Sequence, residues 1–146
     1  MSNPKSRWAL ASLRASAWVP LSFFAFHQLV ANVLRAQRLI PWIDMPMHFF
    51  GGAAIAYFFR ASLRRPEAPA VLGDLSRFAR FLFAFCCVGA TTALWEFAEW
   101  ITDSLDLTGA QVSLDDTLLD MALGIAGGLC LLLLTYRSDV KLQQAE

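Results

Sequence analysis

Seven ionisable side chains of this chain stand at helical spacing. Asp44 and His48 are four residues apart, as are Asp116 and Asp120, while Glu96, Glu99 and Asp103 follow at intervals of three and four. A helix advances about 100° per residue, so Glu96, Glu99 and Asp103 fall within roughly 80° of one another. Asp44 and His48 share a face in the same way, as do Asp116 and Asp120. Carboxylates gathered with one imidazole form a donor set for a divalent cation. Mg²⁺, Ca²⁺ or Mn²⁺ suit the oxygens, and the imidazole also admits Mn²⁺, Fe²⁺ or Zn²⁺. Asp44, His48, Glu96, Glu99, Asp103, Asp116 and Asp120 are the candidate ligands of such an ion. The candidate catalytic residues are Glu96, Glu99 and His48: a glutamate as general base, the histidine as ligand or general acid, beside a cation that activates water or polarises a scissile group.

Plainer roles compete for several of these residues. Ser113-Leu114-Asp115-Asp116 reads as a capping box that opens a helix, which accounts for Asp115 and Asp116 without a ligand. Asp44 near a helix N-terminus complements the helix dipole. A lone histidine such as His48 is often a hydrogen-bonded packing residue, and Asp106 lies in a polar loop. Glu96 and Glu99 resist such readings best, because ionisable groups at membrane depth are functional candidates by default.

The elements that must carry these residues are apolar. The chain has 146 residues and is 57% hydrophobic with a mean hydropathy of +0.48, which exceeds ordinary soluble usage. Four stretches reach the roughly 20 residues that a bilayer crossing takes: residues 15–34, 40–59, 78–101 and 117–136. The second is the weakest, with Asp44, Pro46 and His48 at its start. The expected fold is therefore an all-α integral membrane protein, a bundle of four transmembrane helices. Residues 1–14 form an N-terminal cytoplasmic or interfacial segment, with a short helix over residues 2–16 that carries Trp8. Residues 15–136 form the membrane domain, and residues 137–146 form a cytoplasmic tail. The basic start resembles a signal peptide, but no A-x-A site closes the first apolar segment, which reads as retained. A loop over residues 64–69 and a short helix over residues 74–80 separate the second and third spans.

Charge sorts by side. With the N-terminus inside, ten Lys and Arg residues fall on the inner side and only Arg35 and Arg38 on the outer, so both termini should be cytoplasmic in a bacterial inner membrane. Eight acids map to the outer side or the outer helix ends: the seven-residue set less His48, with Asp106 and Asp115 added. No Lys or Arg occurs between Phe81 and Tyr136. Three carboxylates at a helix C-terminus repel one another and oppose its dipole. Arg35 and Arg38 can pair with two acids, which leaves the rest to protons or a bound cation. Small residues (Gly51 and Gly52, Gly89 and Thr92, Gly124 and Gly127) lie below the polar faces, where helices can approach closely. His27 and Asn32 can join from the first span as supporting groups, His27 more as a helix-to-helix hydrogen bonder. Trp18, Trp42, Trp95 and Trp100 read as interfacial anchors.

Composition excludes other classes. The basic residues form no face for nucleic acid. Cys86, Cys87 and Cys130 make no disulfide framework. The expected partners are membrane lipids and a lipid-like substrate. Three uses of the acidic cluster stay open at this point: a metal-dependent enzyme on a lipid or lipid-linked phosphate or ester, a cation or proton transporter, or an accessory subunit that recruits a basic partner. The apolar inner halves of the third and fourth spans argue against a transport path through one copy.

Asp44-x3-His48-x2-Gly51-Gly52, Trp95-Glu96-x2-Glu99-Trp100-x2-Asp103 and Asp116-Thr117-x2-Asp120-x6-Gly127 resemble, in this order, the YjdF-like family of small bacterial inner-membrane proteins. They are more distantly similar to the VanZ-like family. The resemblance covers about residues 40 to 130. It implies that Asp44, His48, Glu96, Glu99, Asp116 and Asp120 form the functional set. Two positions depart: Gly124 stands where the YjdF-like pattern has Asn, and Glu99 stands where the VanZ-like pattern has Gln.

Overall fold

The computed structural model describes residues 3–30, 40–109, 111 and 113–143, and among them the regular structure is helical throughout. Helices α1 (Pro4–Ser16) and α2 (Trp18–Gln28) are followed by a 3-10 turn at Pro41–Ile43. Then come α3 (Asp44–Leu63), the short α4 (Pro69–Leu72), α5 (Arg77–Ser104) and α6 (Leu114–Gln143). Arg35, Arg38 and Asn32 lie outside the described residues, as does the end of the first expected span.

The first span is not one helix. It divides at Ala17, and α1 and α2 meet at 55°. Pro20 has no N–H to give the Ser16 carbonyl, and its ring crowds that carbonyl. The Ser16 hydroxyl turns back to the Ser12 carbonyl at 2.9 Å, a bond that bends helices. The N-terminal helix expected over residues 2–16 forms as α1, and its Trp8 indole donates to the Ser62 carbonyl at 2.8 Å, tying it to the end of α3.

Among the described residues, two helices are long and apolar enough to cross a membrane, Arg77–Ser104 and Leu114–Tyr136, and α1 with α2 passes the same measure as a bent pair. The second expected span is a helix of 20 residues, α3, but with Asp44, His48 and Arg60 along it this helix falls outside that set. Between α3 and α5 the short helix lies at Pro69–Leu72 rather than over residues 74–80. Gly73, at φ 73°, ends it in a conformation that side chains disfavour. Ser76 caps α5 by accepting from the Ala79 N–H. At the far end the helix of the fourth span runs on past Tyr136, so α6 reaches Gln143.

Helix α3 is the centre, packed against α6, α5, α2 and α1. Its contact with α6 is backbone to backbone. A Cβ on Gly52 would overlap the Gly124 carbonyl, and one on Gly127 would overlap that of Phe49. A Cβ on Gly124 would lie 2.8 Å from Thr92 Cγ2, and one on Gly128 would lie 2.5 Å from Val88 Cγ1, so α5 closes on the same pair. Small residues let membrane helices come this close. Gly51 instead faces Phe23 of α2, and Gly89 has open space around it. The buried apolar core is small (Ala56, Leu63, Ala84, Val88 and Leu132), while large apolar side chains such as Leu94, Phe97, Leu133 and Leu134 are exposed. An apolar exterior of this kind marks a lipid-facing surface.

Replacing a helical glycine by alanine ordinarily gains about 0.5–1 kcal/mol. Gly89→Ala should show that gain in denaturant or thermal unfolding of detergent-purified protein. Gly52→Ala and Gly127→Ala should instead lose about 1–3 kcal/mol, the usual cost of overpacking, or more.

Candidate functional site

The N-terminal ends of α3 and α6 and the C-terminal part of α5 meet at one end of the bundle. Asp44 opens α3, where a carboxylate favours the helix dipole, and His48 follows one turn later. Glu96 comes from α5 and Asp120 from α6, and these two carboxylate residues are only 5% and 4% exposed.

The His48 ring divides the group. Its Nε2 lies 3.7 Å from Asp44 Oδ2 and 3.7 Å from Asp120 Oδ2, while its Nδ1 lies 3.8 Å from Glu96 Oε1. One atom each from Asp44, His48 and Asp120 lies within 4.8 Å of the others. Donors about 2.0–2.2 Å from one ion stand roughly 3 to 4 Å apart, so a small inward movement would bring the three into a coordination shell. Glu96 sits behind the imidazole. Neither of its oxygens has a hydrogen-bond partner among the described residues, and both are shut off from solvent. A buried carboxylate left so costs free energy unless something completes it.

Of the other expected ligands, Glu99 and Asp103 have carboxylates with hydrogen-bond partners of their own, while Asp116 is engaged through its backbone. The Trp95 indole donates to Glu99 Oε1 at 2.7 Å. Asp103 Oδ2 accepts from the Gln111 N–H at 2.8 Å, and its Oδ1 accepts from the Thr108 hydroxyl. Asp103 therefore pins the loop between α5 and α6. The Asp116 N–H donates to Ser113 Oγ at 3.1 Å, the capping contact that the sequence suggests. Asp106 and Asp115 are exposed.

One residue stands where the sequence does not place it, and another takes the supporting place rather than the helix-to-helix bond expected of it. Trp95, expected at an interface, is turned inward against Phe24 and His27, with ring centroids 5.7 and 5.6 Å away. Its spacing of four from Glu99 was the available signal. His27 comes within 6.5 Å of the His48 ring, and its buried Nδ1 has no hydrogen-bond partner among the described residues. It therefore joins the site's wall rather than tying two helices through that nitrogen.

Asp103→Ala should destabilise the protein by about 0.5–1.5 kcal/mol, the net worth of an ordinary hydrogen bond to part-exposed donors, and hasten proteolysis of the loop. Any bound metal should stay, as read by elemental analysis. Loss of metal in this variant would place Asp103 among the ligands.

A family model described as "Predicted membrane protein (DUF2238)" matches residues 7–141. An uncharacterised protein of Thermotoga maritima is 30% identical over 117 residues, which cover 76% of this chain and 56% of that protein. The chain thus spans little more than half the length of this curated relative. No solved structure matches. The family match takes in every helix named above except the extreme ends, and by it the chain belongs to the DUF2238 family of predicted membrane proteins.

Proposed function

We propose that this protein is a four-span bacterial inner-membrane protein, with both termini cytoplasmic, that holds a divalent cation at the periplasmic end of its bundle. The ligands are Asp44, His48 through Nε2, and Asp120. Glu96 stands behind the histidine, its Oε1 3.8 Å from Nδ1, and would accept from Nδ1–H once the site closes on an ion. Glu99, Asp103 and Asp116 stand around this set as neighbours of like charge rather than as its ligands. The observation that carries the reading is the Glu96 carboxylate, buried and without a hydrogen-bond partner among the described residues, 3.8 Å from His48 Nδ1. A carboxylate behind a metal-bound imidazole fixes its tautomer and raises its basicity. Without an ion, the buried carboxylates of Asp120 and Glu96 would stand on either side of one imidazole, a placement that burial makes costly.

Three protein donors leave coordination positions for water or a substrate oxygen, the arrangement of a hydrolytic site. We infer a metal-dependent enzyme acting on a lipid or lipid-linked phosphate or ester, with Glu99 the carboxylate nearest to a general-base role. Transport is less well supported, because Ala56, Val88 and Leu132 fill the core on the far side of the cluster with apolar groups. The likeness to YjdF-like proteins fits the family membership. Gly124, the departure from that pattern, sits where a larger residue would strike Thr92.

Detergent-purified protein should carry near-stoichiometric divalent metal by elemental analysis. His48→Ala and Asp120→Asn should lose it, and Glu96→Gln should weaken binding by roughly 10–100-fold, the usual effect of removing a supporting carboxylate. Metal-free protein whose stability is indifferent to added cations and chelator would reject the proposal. For topology, a reporter fused after Glu146 should be cytoplasmic and one within residues 104–113 periplasmic; the reverse would turn the site to the other side.

A further inference from the structure

A cavity of about 250 Å³ lies between α2, α3, α5 and α6, beside the cluster. His48 belongs to both. From Met47 to Ile55 the cavity follows α3 for about 12 Å, at 1.5 Å per residue. Buried residues, Ala54 and Thr92 among them, line its inner part, and exposed Leu21 and Phe24 stand at its outer edge. On a lipid-facing surface, those two side chains border the bilayer.

Its polar wall groups are mostly engaged. The Thr91 hydroxyl donates to the Cys87 carbonyl at 2.8 Å, Thr92 to that of Val88 at 2.9 Å, and the Trp95 indole to Glu99. The exceptions are the two histidines, His48 beside the carboxylates and His27, whose Nδ1 has no hydrogen-bond partner among the described residues. Ordered water needs two to four polar partners, and apolar cavities stay dry. Most of this cavity offers water too few, while its His48 end offers several. A polar group is therefore accommodated at one end only, with hydrocarbon over the rest. At about 30 Å³ for each water-sized group, the space takes roughly eight methylenes.

We propose that this cavity binds one hydrocarbon chain of a membrane amphiphile, which enters from the bilayer past Leu21 and Phe24 and brings its polar end to His48 and His27. This rests on the reading of the cluster as a cation site and names the substrate class it would serve: a lipid gripped by its tail, with the head beside Asp44 and Asp120.

The test uses full-length protein in bilayer nanodiscs that contain a phosphatidylglycerol with a diazirine in one acyl chain. After irradiation, labelled peptides are mapped by mass spectrometry and metal content is measured on the same sample. Label should concentrate on Phe23, Phe24, Ile55 and Trp95 above exposed Leu133 and Leu134. Thr91→Phe should lower the cavity label by about five-fold or more, because an aromatic ring takes much of the room. Ile55→Phe, on a different helix, should do the same should Thr91→Phe fail to fold. Label spread evenly over all lipid-facing residues, or unchanged in both filled variants, would overturn the proposal. Metal-loaded protein without cavity label sinks the tail site alone, whereas cavity label on metal-free protein sinks the cation reading and leaves the tail site standing.

Discussion

The contact of α3 with α6 through bare backbone is the constraint on which the rest depends. With Gly52 against the Gly124 carbonyl and Gly127 against that of Phe49, the two helices have no side chains between them at their crossing. That closeness brings His48 of one helix to Asp120 of the other at 3.7 Å, a distance short side chains cannot span between helices held apart by leucines. Van der Waals contact and backbone proximity supply this association, since lipid tails compete on equal terms with apolar side chains.

Polarity runs opposite to that of a soluble protein. Large apolar residues face outward, and the buried set includes Thr92, Glu96 and Asp120. Such an interior is costly unless its charges are matched. The threonines and Trp95 show one solution, each bonded to its own helix. Glu96 lacks that solution among the described residues. The contrast within one helix turns a list of acids into a directed arrangement: a carboxylate behind a histidine, with two more in front.

Much of the helical plan was legible. Hydropathy and spacing are local, so α3, α5 and α6 begin near the places the sequence suggests and α5 also ends there, and Ser113 caps α6. The bend at Ala17 was overlooked although its cause is also local, because a hydropathy window does not weigh the lost hydrogen bond of Pro20. The polar cluster was legible in outline, since three helices carried acids or histidine at one end. Its membership was not. Glu96, Glu99 and Asp103 share a face of α5, yet the first meets His48, the second Trp95 and the third the backbone of the following loop.

The sequence by itself determined that the chain is helical and apolar, and at which helix ends its acids collect, because these follow from the order of residues along one helix. Tertiary structure alone decided which carboxylates look at which imidazole nitrogen, and that Trp95 and His27 turn toward the same space. Those outcomes hang on how far each helix is rotated about its axis and how closely it approaches its neighbours. Contacts between distant glycines and threonines set both quantities, and no single stretch of sequence contains them.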